Sequence, residues 1–278
     1  MRNLNFHIWD KCMKQSRYLD ELNILLNQSK FEQVEVYLKA HSNLPGPRAN
    51  LELSYSFARC FANISISQSL WEFLEQLLNT STDGNSRETI LPFSALLGLS
   101  QSYFSQDTTH QKIILNQNQT MMNDSRWRLR EAAAMACQII GEQDFSTVKN
   151  WFEQIYPDSS LLEKRGILVA LAHPPLLTTA ANTVYCLNLC EQIFNDIFPS
   201  DHQTIDQSEA FKTLKKSLEY VLSVFVAADP LLGFDLLAKL AERKHQQINK
   251  ILKANLSKSR LTKKYMLKIN KIYEMMDQ

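Results

Sequence analysis

The amino-acid sequence predicts an all-α protein built as an α-solenoid, that is, a superhelix of stacked antiparallel helical hairpins. Glycine (6) and proline (8) are scarce among the 278 residues, whereas a many-stranded β protein needs more of both at its turns. Apolar residues recur at helical spacing along most of the chain. A unit of two helices and two short turns also recurs, which is typical of helical repeat arrays.

We expect residues 1–105 to form irregular helical repeats or a helical cap. Helices are predicted on both sides of the Pro-Gly-Pro break at residues 45–47, and the polar stretch 79–86 (NTSTDGNS) predicts a loop. Charges interrupt the apolar N-terminal stretch MRNLNFHIWDKCMKQ, so we expect no secretory signal. No apolar run reaches the roughly 18 residues that span a bilayer. A cytoplasmic protein without a membrane partner is therefore expected.

Residues 106–262 show the regular repeat, and we expect a single solenoid domain over residues 1–278. Asp124 precedes a helix predicted over residues 127–140, because an Asp oxygen can accept from the free N–H groups at a helix start. Gly141 is predicted to end that helix. The stretch Pro157-Asp158-Ser159 is predicted to cap the next helix, and Asp158 stands 34 residues after Asp124. This spacing favours stacked hairpins over a non-repetitive helical bundle.

The pattern returns in a divergent form after an interruption around His202. Helices are predicted over residues 209–227, 231–241 and 246–256. A final helix within residues 263–278 is predicted to cap the array.

Positive charge is concentrated near the C-terminus. From Lys239 onward, eleven Lys or Arg residues stand against three acidic ones, which gives about +8 in a chain whose net charge is +1. Such a segment is typical of a nucleic-acid partner, and a solvated helix face is the alternative. The predicted electrostatic patch consists of Lys250, Lys253, Lys258, Arg260, Lys263 and Lys264.

Cofactor and metal signatures are missing from the sequence. Its five cysteines, including Cys12, are odd in number and are interpreted as reduced core residues. Cys186 and Cys190 are i,i+4 neighbours, but no other Cys or His lies at metal-ligand spacing, so we expect no metal. No P-loop, GxGxxG, GxSxG or HExxH motif occurs, and no cofactor is expected.

Three segments carry a family resemblance: DSRWRLREAAAMACQIIGE, LEKRGILVALAHPPLL and INKILKANLSKSRL. They resemble the HEAT-like repeats of the DNA alkylation repair superfamily, which includes the AlkC and AlkD types of alkylpurine DNA glycosylase. The resemblance covers residues 108–262. It implies stacked HEAT-like hairpins whose concave, positively charged surface cradles duplex DNA.

The resemblance also implies a catalytic pair. In active members a carboxylate and aromatic residues meet the damaged nucleotide, and here Glu131 and Trp127 match these roles. The two residues stand at i and i+4 of one predicted helix and therefore on one face. Active members have Asp where this chain has Glu131. The implied phosphate contacts are Arg126, Arg128, Arg130, Lys164 and Arg165.

These residues also have ordinary structural explanations. Glu131 can pair with a neighbouring arginine or favour the helix dipole, Trp127 can be a packing residue, and Arg130 and Arg165 can bond between repeats. The sequence favours a monomeric, non-catalytic HEAT-like protein that binds nucleic acid, either duplex DNA or another nucleic acid. An alkylpurine DNA glycosylase and a protein–protein interaction scaffold are the alternatives.

Overall fold

A computed structural model describes residues 17–199 and 208–277. These residues form fifteen α-helices and four short 3-10 helices, with no β-strand among them, so the predicted all-α class is confirmed. The α-helices are α1 (Arg17–Asn27), α2 (Phe31–Ala40), α3 (Leu51–Arg59), α4 (Gln68–Leu78), α5 (Ile90–Gln101), α6 (Thr108–Met122), α7 (Trp127–Gln143), α8 (Phe145–Ile155), α9 (Leu161–Leu171), α10 (Ala180–Ile197), α11 (Glu209–Ala228), α12 (Pro230–Glu242), α13 (Gln246–Leu256), α14 (Ser259–Thr262) and α15 (Met266–Asp277). The 3-10 helices are Arg87–Thr89, Tyr103–Ser105, Tyr156–Asp158 and Pro174–Leu177.

Some sequence predictions fall on other parts of the chain. Cys12, His202 and the N-terminal stretch before residue 17 lie outside the described residues. Within the described ranges, every helix is too short or too polar to cross a membrane.

Contacts within the chain divide it into two compact units, Met1–Ile140 and Gly141–Gln278. In the described part of the first unit, α1 packs against α3 and α3 packs against α5. Helix α5 also contacts α2, α4 and α6. It is buried on every side from Ile90 to Ser100, as expected of an apolar helix at the centre of a core.

The second unit uses the same alternation of helices. Helix α9 packs against α11, α11 packs against α13, and α10 packs against α12. Helix α12 also contacts α15. The buried stripe of α11 recurs at helical spacing and explains its central place among these neighbours. It includes Leu214, Leu218, Val221, Leu222 and Phe225.

A buried amide joins α11 to α13. The Asn255 Oδ1 accepts from the Ser223 N–H at 2.8 Å, and its Nδ2 donates to the Leu218 and Ile251 carbonyls, each at 2.8 Å. Asn255 is fully buried, so water cannot reach its amide group. The three bonds within the protein satisfy the amide instead. The amide therefore fixes how the two helices lie against each other.

The prediction that Gly141 ends a helix is wrong, because α7 continues through it to Gln143. Gly141 has no positive φ. A Cβ at Gly141 would lie 3.1 Å from Val148 Cγ2 and 3.2 Å from Leu176 Cδ2, so the missing side chain allows close packing of neighbouring segments.

The predicted cap at Asp158 is also wrong. Asp158 belongs to a 3-10 helix, and Ser160 caps α9 two residues later. The Ser160 Oγ accepts from the Glu163 N–H, and the Glu163 carboxylate accepts from the Ser160 N–H. This reciprocal arrangement is a capping box, which satisfies two N–H groups that the helix leaves free.

Candidate nucleic-acid interface

The predicted catalytic pair lies at the start of α7. Trp127 is the first residue of this helix, and its side chain is 49% exposed. Glu131 follows one turn later on the same face and is half-buried. The Arg128 guanidinium carbon lies 4.4 Å from the centre of the Trp127 ring, a cation–π distance. A cation of the protein itself thus covers part of the indole.

Arg128 points into the first unit instead of towards solvent. The residue is 2% exposed. Its Nη1 donates to the Gly84 carbonyl at 3.0 Å and to the Asn85 Oδ1 at 2.8 Å, and its Nη2 donates to the Gly46 carbonyl. One guanidinium therefore ties two loops to the start of α7.

Arg126 and Arg130 also donate to nearby acceptors. The Arg126 guanidinium forms a two-pronged pair with Asp124, with distances of 2.9 and 2.7 Å, and donates to the Thr80 carbonyl at 3.2 Å. Partial burial alone would raise the pKa of Asp124, but the hydrogen bonds from Arg126 hold that pKa below its ordinary value. The Arg130 Nη1 donates to the Asp124 and Ser125 carbonyls at 2.6 and 3.0 Å.

The two predicted cations of α9 are buried in the second unit. The Lys164 ammonium donates to the Ser159 carbonyl at 3.0 Å and lies 3.8 Å from an Asp196 oxygen. It also lies 4.8 Å from the centre of the Tyr156 ring, a cation–π distance. The Tyr156 hydroxyl donates to the same Asp196 oxygen. Burial and this carboxylate together raise the pKa of Tyr156. Arg165, the next residue, is 8% exposed.

The cations of the predicted electrostatic patch are exposed or half-buried, unlike the buried cations of α9. Lys250 and Lys253 are exposed on α13, on the side opposite its buried residues Ile248 and Leu252. The chain contains no Asp or Glu between Glu242 and Glu274. Lys258 and Arg260 are half-buried, and Lys263 and Lys264 are exposed. We call the following six residues the basic patch: Lys250, Lys253, Lys258, Arg260, Lys263 and Lys264.

Tyr220 adds an aromatic ring beside the basic patch. Its side chain is 49% exposed, and the Arg260 guanidinium carbon lies 4.8 Å from the ring centre. An exposed ring beside a cation is a surface on which a base or sugar can stack. The sequence predicts no separate role for Tyr220, although its position outside the buried stripe of α11 is a signal that it faces solvent.

No arrangement for metal or thiol chemistry accompanies these cations. Residues 17–199 and 208–277 contain no group of three or more His, Cys, Asp or Glu side chains that could hold a metal ion. Cys186 and Cys190 are buried on α10, and burial raises the pKa of Cys186 to about 12. These thiols stay protonated near neutral pH, which makes them poor nucleophiles and poor metal ligands.

No family model matches this chain, and no match was found among curated proteins.

Proposed function

We propose that the protein is a non-catalytic HEAT-like repeat protein that binds nucleic acid through the basic patch. The observation that carries this proposal is the clustering of exposed cations in a stretch of chain without Asp or Glu. Contacts between cations and phosphates dominate nucleic-acid affinity, since each contact releases a counterion. Duplex DNA is the ligand that the superfamily resemblance favours.

The HEAT-like arrangement is itself part of the proposal. In helical repeat arrays, equivalent helices of successive hairpins pack side by side. The packing of α1 on α3 and α3 on α5 in one unit, and of α9 on α11 and α11 on α13 in the other, follows this rule. This alternation supports stacked hairpins within each unit.

The proposal assigns phosphate contacts to the basic patch instead of to the cations of α7 and α9. Arg128 donates to two carbonyls and one amide oxygen of the protein. Turning this side chain towards a phosphate would leave these acceptors unpaired, at a cost of about 1–3 kcal/mol for each one that stays buried. Lys250 and Lys253 need no such rearrangement because they are already exposed.

Fluorescence anisotropy of a labelled DNA duplex tests the proposal directly. We expect the wild type to bind at about 50 mM salt and to lose affinity steeply towards about 200 mM. Lys250→Gln/Lys253→Gln should weaken binding at least about tenfold. The slope of log affinity against log salt concentration should fall by about two, one for each lost phosphate contact. The matched control Lys30→Gln/Lys112→Gln replaces two exposed lysines of the first unit and should bind like the wild type.

Two outcomes would refute the proposal. One is the absence of duplex binding by the wild type at low salt. The other is equal affinity of the two double variants, which would mean that any bound DNA does not contact α13.

A second candidate function, excision of alkylated purines, is favoured by one observation. Trp127 is half-exposed, and Glu131 lies one turn away on the same helix face. The carboxylate would stabilise positive charge on the sugar as the base leaves. Release of methylated purines from alkylated DNA, abolished by Glu131→Gln, would support this candidate, whereas no release by the wild type would eliminate it.

A further inference from the structure

A group of exposed apolar side chains in the second unit is not explained by nucleic-acid binding. Leu231 and Leu267 are 66% and 82% exposed, and Leu232 and Met266 accompany them. In the described part of this unit, Tyr220 is the only other large apolar or aromatic side chain with comparable exposure. We call the first four residues the apolar tip. A contiguous exposed apolar surface commonly marks an interaction site.

The apolar tip is formed by the first turns of two neighbouring helices. Leu231 and Leu232 open α12, and Met266 and Leu267 open α15. The Lys268 ammonium joins the two turns, since it donates to the Pro230 carbonyl at 3.4 Å.

The backbone beneath the tip is anchored in the core, so the exposure is a property of the folded unit. The Tyr265 ring packs edge-on against Phe234 with their centres 5.6 Å apart. The Tyr265 N–H donates to the Leu261 carbonyl at 2.9 Å, and Leu261 is fully buried. At the other turn, the Leu231 and Leu232 N–H groups donate to the Asp229 carboxylate.

Positive charge accompanies the α15 side of the apolar tip. Lys263 and Lys264 are exposed immediately before α15, and Lys268 is exposed within its first turn. On α12, Asp229 is engaged as the helix cap and Asp235 is exposed one turn beyond Leu231. The cations outnumber the acidic groups, so a negatively charged partner complements this surface.

We infer that the apolar tip inserts into the interface of an anionic lipid bilayer, with the adjacent lysines against the headgroups. A peptide helix docks in a groove whose apolar walls enclose it, whereas Leu231 and Leu267 are 66% and 82% exposed and are not enclosed by neighbouring side chains. A second copy of the chain would bring like-charged lysines together. Insertion and basic charge are the two signals that together hold a protein on a membrane surface.

This inference shares Lys263 and Lys264 with the basic patch, but the apolar tip itself is no part of the nucleic-acid proposal, and no membrane-spanning helix is needed. The expectation of no membrane partner followed from the lack of a spanning run, which a protein lying on a bilayer does not need.

Vesicle co-sedimentation of the full chain tests the inference. Vesicles of phosphatidylcholine with about one-third phosphatidylserine should bind the wild type, and phosphatidylcholine alone should bind it at least about tenfold more weakly. Leu231→Ser/Leu267→Ser should lose at least about tenfold in affinity for the anionic vesicles, because two exposed leucines no longer insert. The control Ile24→Ser/Val36→Ser alters two exposed aliphatic residues of the first unit and should bind like the wild type.

Further results of these experiments support or overturn the insertion of the apolar tip into lipid. Unchanged circular dichroism and unchanged duplex DNA affinity of the leucine variant would support a role of the apolar tip in lipid binding alone. No binding of the wild type to anionic vesicles would overturn the inference, as would equal binding by the leucine variant. Dimerisation in solution that the leucine variant abolishes would assign the tip to self-association and also overturn it.

Discussion

Arg128→Met removes a buried guanidinium while keeping a long, flexible side chain in the same space. The substitution leaves two backbone carbonyls, Gly46 and Gly84, without the donor they have in the native first unit. An unpaired polar group costs about 1–3 kcal/mol when it is buried, and the two glycines are half-buried, so each carbonyl should cost near the lower end of that range. We therefore expect Arg128→Met to lower the free energy of unfolding by about 2 kcal/mol.

Urea unfolding followed by circular dichroism measures this loss, and hydrogen exchange locates it. Faster exchange should appear in residues 44–47 and 79–86, the loops that Arg128 joins to α7. Arg130→Met is the control, because the half-buried Arg130 donates to carbonyls only five and six residues away and its loss should cost about 1 kcal/mol. A loss below about 1 kcal/mol for Arg128→Met, with unchanged loop exchange, would refute the structural role of Arg128.

Three further substitutions follow from the packing. The pKa of Asp124 is lower in the folded protein than in the unfolded chain, so its pair with Arg126 stabilises the fold fully at pH values above the unfolded pKa of Asp124. This stabilisation is lost as the pH falls through the folded pKa of Asp124. Asp124→Asn should remove at most about 1 kcal/mol at neutral pH and nothing at low pH, as measured by urea unfolding at both. Gly141→Val should destabilise by about 2 kcal/mol in the same assay, because its side chain overfills a tight contact. Asn255→Leu should cost about 3 kcal/mol, whereas Asn270→Leu on the exposed side of α15 should be near neutral.

The helices were largely predictable because local patterns determine them. Helix α13 begins and ends at Gln246 and Leu256, where the spacing of apolar residues predicts. Helix α10 was not singled out, although Cys186, Cys190 and Ile193 recur along its buried side. Gly141 misled the prediction because its role depends on Leu176, a residue 35 positions later that only the folded chain brings near.

The environments of the cations were also predictable only where local sequence determines them. Arg128 resembles a surface arginine in the sequence, since its acceptors Gly46 and Gly84 lie 82 and 44 residues away. The exposure of Lys250 and Lys253 is visible from the helical pattern of α13, where buried residues occupy the other side. A distant acceptor leaves no local signal, whereas an amphipathic face does.

Hydrogen exchange of the full chain with and without a DNA duplex tests the central proposal most directly. Adding DNA should slow exchange within residues 246–264 and near Tyr220, and should leave exchange in residues 124–131 unchanged. Protection centred on residues 124–131, or no protection anywhere at low salt, would contradict it.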